Sequence, residues 1–370
     1  MGHDARRTLR ICRRASLAVL PGIALTVATR AIRGAVALAL VGLSACGMAS
    51  GRSGLVSSGA SVNPAVLATI PIGGYGGDVA VSADGARTYV PLRTGKVVAI
   101  DTASRQVVAT IATNGQPYAM ALTPDGARGY ATDMTAQYVL ALDTTNNRVI
   151  QSIPVGIIAR PILTPAVAVS RDGTRAYVTA ATVNDDRLFV IDTATNTIVG
   201  DQVLPIHPAG VAVSPDGRQV YVAGCKLACI DGTFLVVDAA STSVVSQTPL
   251  PAAPDGVVLA PDGSRAYMPN GLDATVGVID LATKTVTRIA VDAQPIGIAV
   301  DPRGSFVYVT SFAMASVSVI DTRSAAVVRK IAVNQGPRAI AVSPDGRFGY
   351  VTHSSPTCSV IDLGRVPGGS

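Results

Sequence analysis

An all-β fold assembled from seven like sheets is predicted by three observations on this 370-residue chain. One phrase recurs seven times, as AVSADGARTYVP, ALTPDGARGYAT, AVSRDGTRAYVT, AVSPDGRQVYVA, VLAPDGSRAYMP, AVDPRGSFVYVT and AVSPDGRFGYVT. The tyrosines that close it (Tyr89, Tyr130, Tyr177, Tyr221, Tyr267, Tyr308 and Tyr350) stand 41 to 47 residues apart. A second anchor follows each phrase, an apolar run ending on Asp101, Asp143, Asp192, Asp238, Asp280, Asp321 or Asp362. A period in the low forties with four short strands per unit is the signature of a propeller blade. The expected architecture is a seven-bladed β-propeller of four-stranded antiparallel blades.

Each strand of the unit follows from its residues. The first alternates small and larger apolar side chains, as in Gly210-Val211-Ala212-Val213 and Gly297-Ile298-Ala299-Val300. Small residues on one face let neighbouring sheets approach near the axis. Ser-Pro-Asp-Gly then makes a tight hairpin, in which Pro pre-sets its backbone angle, Asp bonds back to the backbone and Gly takes the left-handed region. The second strand carries the Tyr. The third, of the VSVID type, ends on the Asp of a turn such as Asp-Thr-Ala-Thr-Asn, and a fourth such as VVATI completes the unit. Val, Ile and Thr suit strands, and few strong helix formers besides Ala occur.

Ring closure can be read as well. Only LGRVPGGS follows Asp362, so the seventh unit lacks a fourth strand. AVLATIPIGG, ahead of the first phrase, matches fourth strands such as NRVIQSIPVG yet has no first three before it. It is expected to complete the last blade, because two open sheet edges would otherwise invite aggregation. The chain thus divides into residues 1–45, 46–63, a propeller over 64–363 and a tail over 364–370.

These phrases resemble the YVTN family of β-propeller repeats, through Tyr-Val-Thr at Tyr177, Tyr308 and Tyr350. The resemblance covers residues 64 to 363. It implies a bacterial or archaeal protein, often secreted or surface-bound, with seven blades. It does not imply one activity, since the family includes surface-layer proteins and dehydrogenase subunits.

The first 45 residues carry seven Arg and one Asp, which accounts for the whole net charge of +6. After Arg33 comes GAVALALVGLSA and then Cys46. A positive region, a short apolar core and small residues before a cut site make an export signal, too short to span a bilayer. Leu43-Ser44-Ala45-Cys46 resembles the lipobox of bacterial lipoproteins, which implies that Cys46 becomes the lipidated first residue of the mature chain. Two or more acyl tails give stable anchoring. The alternative is an ordinary secretory signal beside an incidental Cys. Residues 46–63, rich in Gly and Ser, are expected to form a flexible tether.

From Cys46 onward 23 Lys plus Arg balance 23 Asp, and the chain has no Glu. Nucleic-acid binding draws on a clustered basic surface, so the balance argues against DNA or RNA as a partner. The expected partners are the membrane, through the anchor, and a protein, glycan or small molecule.

Antiparallel strands put the Asp-Gly hairpins and the Asp-Thr turns at one end of each blade. Gly-to-Tyr spacing is constant there, and thirteen Asp have turn duty. All clear length variation falls at the other end: GIIARPILT entering blade three, VNDDR within it and GCKLACIDG in blade four. Variable loops on a rigid scaffold are where binding usually sits. Arg160, Asp185, Asp186, Arg187 and Lys226 form the candidate partner rim, against neutral drift in surface loops. A second candidate is the channel mouth, where Asp78, Tyr118, Asp255 and Arg338 could orient a small polar ligand; Asp78 replaces the Ala or Gly of other blades. The alternative there is a water-filled channel with structural ion pairs.

Cys225 and Cys229 bracket Lys-Leu-Ala, and in an exported protein a disulfide is expected. Without Cys-x-x-Cys-His or a second pair, no metal or haem site and no cofactor is implied. Cys358 sits where other third strands have Val97, Val139, Leu188, Phe234, Val276 and Val317, so it is expected to be a buried small hydrophobe. His207 and His353 are expected at the surface, too far apart to share a metal. No Gly-x-Ser-x-Gly, His-Glu-x-x-His or phosphate loop occurs. The sequence favours a binding module over the alternative of a channel-mouth enzyme such as a lactonase-type hydrolase, for which only fold-level analogy speaks.

Overall fold

The hairpins that the repeated phrase encodes fold through one local device. In blade one, Asp84 Oδ1 accepts the Ser82 hydroxyl at 2.6 Å and the Ala86 N–H at 2.9 Å, while Ser82 Oγ accepts the Arg87 N–H at 2.9 Å. Gly85 turns the chain at φ +71°, a conformation that costs glycine nothing. The Ser–Asp pair recurs as Ser170–Asp172, Ser214–Asp216 and Ser343–Asp345, and Thr123–Asp125 does the same work. These bonds hold the hairpin carboxyls below the ordinary Asp range. Blade six departs: Asp301 stands at the Ser position and itself accepts the Phe306 N–H at 2.7 Å.

The turns after the third strands are equally uniform. Asp101 Oδ1 accepts the Ser104 N–H at 2.8 Å, and Asp143, Asp192, Asp238, Asp280 and Asp321 accept the N–H three residues on. The next residue takes a positive φ, at Arg105, Asn147, Asn196, Thr242, Lys284 and Ala325, and a register shift marks a bulge beside several of these turns.

The computed structural model describes residues 65–135, 137–156, 165–181, 185–226 and 231–364. They form seven four-stranded antiparallel sheets in a ring. Blades one to six take their strands in chain order over residues 80–112, 117–154, 166–203, 207–250, 258–290 and 295–332. The seventh uses Pro337–Val342, Phe348–His353 and Thr357–Asp362, and its fourth strand is Val66–Pro71, which pairs Thr69 with Ser359 and Pro71 with Thr357. The N-terminal strand closes the ring as the repeat count requires.

The apolar core is split into seven clusters, one at each blade interface. One joins Tyr89, Val97, Ala99 and Ile111 of blade one to Met120, Ala131, Leu140 and Leu142 of blade two. The closing cluster joins Ile70, Tyr350, Cys358 and Val360 of blade seven to Val90, Leu92, Val98 and Ile100 of blade one. Val97, Val139, Leu188, Phe234, Val276, Val317 and Cys358 are all fully buried. Cys358 is thus a packing residue, its thiol pushed up to about 12 by burial and so kept un-ionised.

Near the axis the crowding is severe. A Cβ on Gly210 would lie 2.7 Å from the backbone nitrogen of Val257, and one on Gly77 or Gly297 would fall within 3.0 Å of the next blade's backbone, at Tyr118 or Arg338. Glycine at these positions is what lets adjacent first strands approach.

The letters of the repeated phrase act between blades. Tyr130 donates to Asn196 Oδ1 at 2.7 Å and Tyr89 to the Thr144 carbonyl at 3.3 Å, each reaching the next blade's turn. Thr310 Oγ1 accepts the Gly297 N–H of its own blade at 2.8 Å and donates to the Arg338 carbonyl of the next at 2.8 Å. The phrase repeats because every blade must present the same two faces to its neighbours.

Candidate binding surfaces at the variable end

The end opposite the Asp-Gly hairpins is built from the loops joining second to third strands and those entering each first strand. Of the predicted rim, Arg160 lies outside the described residues, as do Cys46 and Cys229. Asp185, Asp186, Arg187 and Lys226 are described, at the start of the third strand of blade three and beyond the second strand of blade four. Lys226 is exposed.

Two of these acids turn inward to local partners. Arg187 straddles Asp185, with Nε to Oδ1 at 2.8 Å and Nη2 to Oδ2 at 3.0 Å, and also pairs with Asp201 on the fourth strand. Asp186 is 8% exposed and meets His207 of blade four, Oδ2 to Nδ1 at 2.5 Å. The Asp186 carbonyl accepts the Leu204 N–H at 2.7 Å. Cys225, opposite His207 in the strand register, is disulfide-bonded.

The surface expectation is corrected for His353, whereas His207 is partly exposed. His207 has the nearby carboxylate that sequence spacing did not reveal, because the third strand of blade three and the first of blade four meet only in space. His353 is fully buried, with Nε2 2.8 Å from Ser359 Oγ. Burial pushes its imidazole down to about 4, and the Asn334 backbone only partly opposes this. His353 follows Tyr350-Val351-Thr352, a position that also holds Asp133 and Asn270, both buried. Each supports the turn that follows: Asp133 accepts the Thr135 N–H at 2.9 Å, and Asn270 donates to Thr275 at 3.0 Å.

At the channel mouth the four predicted residues sit on the entries to four first strands. Asp78 clasps blade two: its N–H donates to the Tyr118 carbonyl at 2.8 Å, and its carboxylate accepts the N–H groups of Val79 and Met120. Desolvation among the converging strands outweighs these bonds and pushes its carboxyl up to about 6. Asp255 has accessible surface but lies in the concave mouth, where surrounding protein raises its carboxyl against the Gly271 N–H donated at 2.8 Å. Tyr118 supplies the carbonyl of the clasp. Arg338 stacks its guanidinium over the Phe312 ring, 5.4 Å from the centroid. The ion pairing considered for the channel is not what holds Asp78, Asp255 and Arg338: among the described residues none of them joins a salt bridge.

Among the described residues no group of three or more His, Cys or Asp side chains could hold a metal. A cavity of about 380 Å³ lies elsewhere, between blades two and three at the hairpin end, against Asp125, Arg128, Asp172 and Thr193. Its carboxylates already serve their hairpins.

Fold and surfaces together define a seven-bladed β-propeller with one standardised end and one variable end. No family profile matches the chain, and no curated protein does. Among solved structures it is similar to Kuenenia stuttgartiensis hydrazine synthase, at TM-score 0.71 and 23% identity, over 83% of this chain and 98% of that one. At that identity the likeness speaks for the propeller alone.

Proposed function

We propose that the protein is an extracytoplasmic β-propeller lipoprotein, held at the membrane through Cys46, which acts as a binding module rather than as an enzyme. The observation that carries this reading is how the polar groups are used. The Asp side chains of the hairpins and turns bond to backbone N–H groups, His207 and His353 are taken by Asp186 and Ser359, and Asp78 clasps two blades. What varies from blade to blade is the loop end, the place where a scaffold of repeats displays recognition residues. The YVTN resemblance and the lipobox supply the cell-envelope setting.

Expression of the full chain with labelled palmitate tests the anchor. Label should enter the wild-type protein and be lost from Cys46→Ala, which should also leave the membrane fraction in a carbonate wash. A Cys46→Ala protein that remains membrane-bound would remove the anchor from the reading.

A further inference from the structure

The bases of the variable end divide into two groups. In blades three, five and six they are neutralised locally: Arg187 by Asp185 and Asp201, Arg288 by Asp273, Lys330 by Asp292. In blades seven and one they are not. Among the described residues no carboxylate pairs with Arg338, Arg93 or Lys96. Lys226 of blade four has no carboxylate partner among the described residues either, but it stands alone. Blades seven and one are neighbours in the ring, and their three cations make one positive sector.

Apolar side chains share the sector. Tyr75 is 57% exposed in the loop entering blade one, and its carbonyl accepts the Arg93 N–H at 3.0 Å. Lys96 lies over the same loop, its Nζ 3.5 Å from where a Cβ on Gly73 would be. Met314, also 57% exposed, caps the turn of blade six that carries Phe312, on which Arg338 is stacked. The stacking fixes the plane of the guanidinium and leaves its N–H edge free to receive a planar anion.

We propose that Tyr75, Arg93, Lys96, Met314 and Arg338 form a docking surface for a protein segment in which carboxylates alternate with apolar side chains. The inference rests on the reading of the protein as a binding module, though not on its lipid anchor. Unpaired cations call for an anionic partner, and a guanidinium held in one plane suits the two oxygens of a carboxylate. Exposed Tyr, Met and Arg are the types enriched at protein interfaces. Three cations spread over two blades fall short of the dense basic cluster that recruits anionic lipid.

The test uses the full chain in nonionic detergent and a short fluorescent peptide alternating Asp and Leu, read by anisotropy, with an Asn–Leu peptide as its neutral counterpart. The Asp–Leu peptide should bind about tenfold more tightly, a difference of about 1.4 kcal/mol, and binding should weaken with salt. Arg93→Gln with Arg338→Gln should remove most of that preference, as should Arg93→Gln with Lys96→Gln, which leaves the Phe312 stack intact. Arg218→Gln, at the hairpin end, should have no effect. Equal binding of the two peptides, or an equal loss with Arg218→Gln, overturns the proposal. So does binding confined to phosphatidylglycerol vesicles or to oligothymidine, which would reassign the sector to lipid or nucleic acid. Cys46→Ala should leave peptide binding unchanged, so failure of the anchor and failure of this surface are told apart.

Discussion

Thr352 Oγ1 donates to the carbonyl of Gly77 at 2.8 Å, across 275 positions of sequence. The same hydroxyl accepts the Ala339 N–H of its own blade at 3.2 Å. One side chain thus joins the seventh blade to the first at the seam, where Thr352 and Gly77 are buried and Ala339 is half-buried. Thr352→Val keeps the shape but leaves a donor and an acceptor unpaired, which should cost about 1–3 kcal/mol. Thr352→Ser should recover most of it. Chemical denaturation of the three proteins checks the prediction; an unchanged midpoint in Thr352→Val would mean that the seam is held by packing alone.

The closing strand is a stronger test of the ring. Deleting the segment that contains Val66–Pro71 exposes the edge of Thr357–Asp362 and uncovers the cluster around Ile70, Val360 and Cys358. Open edges pair with other chains, so the truncated protein should aggregate or fail to melt cooperatively. A soluble truncation with a sharp thermal transition would show that the ring needs no such clasp.

Gly297 probes the crowding at the axis. Its backbone is unstrained, so Ala would be tolerated in solution, yet its Cβ would fall against the Arg338 carbonyl of the next blade. Gly297→Ala should therefore destabilise by about 1–3 kcal/mol through overpacking. Gly217, with nothing within 4 Å of a Cβ but a φ of +72°, should lose stability on change to Ala through backbone strain, by about 1 kcal/mol. Thermal melts of both variants separate the steric cost from the conformational one.

His353 predicts an acid-labile fold. Its folded imidazole titrates near 4 against 6.5 when free, so below pH 6.5 the unfolded chain binds a proton that the folded one excludes. Stability should fall from pH 6.5 toward pH 4, by an amount on the order of 3 kcal/mol for this group. His353→Asn, which restores a group that neither gains nor loses charge, should flatten that slope. Equal slopes in wild type and variant would place the acid sensitivity elsewhere.

Asp78 works in the opposite sense. Its carboxyl is raised to about 6 in the fold, from 3.8, so the folded state holds a proton that the unfolded chain has released. That contribution is complete below pH 3.8 and lost as pH rises to 6. Asp78→Asn keeps an acceptor for the Val79 and Met120 N–H groups without the charge. At pH 8 it should be the more stable protein by about 1–3 kcal/mol, with the gap closing near pH 4. No gap at pH 8 would mean that channel water solvates the carboxylate in full.

The seven phrases and their spacing were enough for the number of blades, the hairpins, the turn duty of the Asp residues and the closing strand. These depend on residues close together in sequence, or on counting strands, and local chemistry survives folding unchanged. Cys358 was legible for the same reason, since six other blades supply the residue it replaces. The partners across blade seams were not. His207 finds Asp186, Thr352 finds Gly77, and Arg338 finds Phe312 only once the sheets are set edge to axis around the ring. His353 misled because its chemical type suggests the surface, whereas its place after Tyr-Val-Thr belongs to the buried base of a turn.

By itself the sequence determined the repeating unit, because each unit folds by bonds within about forty residues of chain. Only the tertiary structure decided which charges are neutralised and which stay open to a partner. Pairing depends on which strands lie side by side within a blade, as for Arg187 and Asp201, and on how neighbouring blades meet, as for His207 and Asp186. Those distances exist only once the sheets have formed.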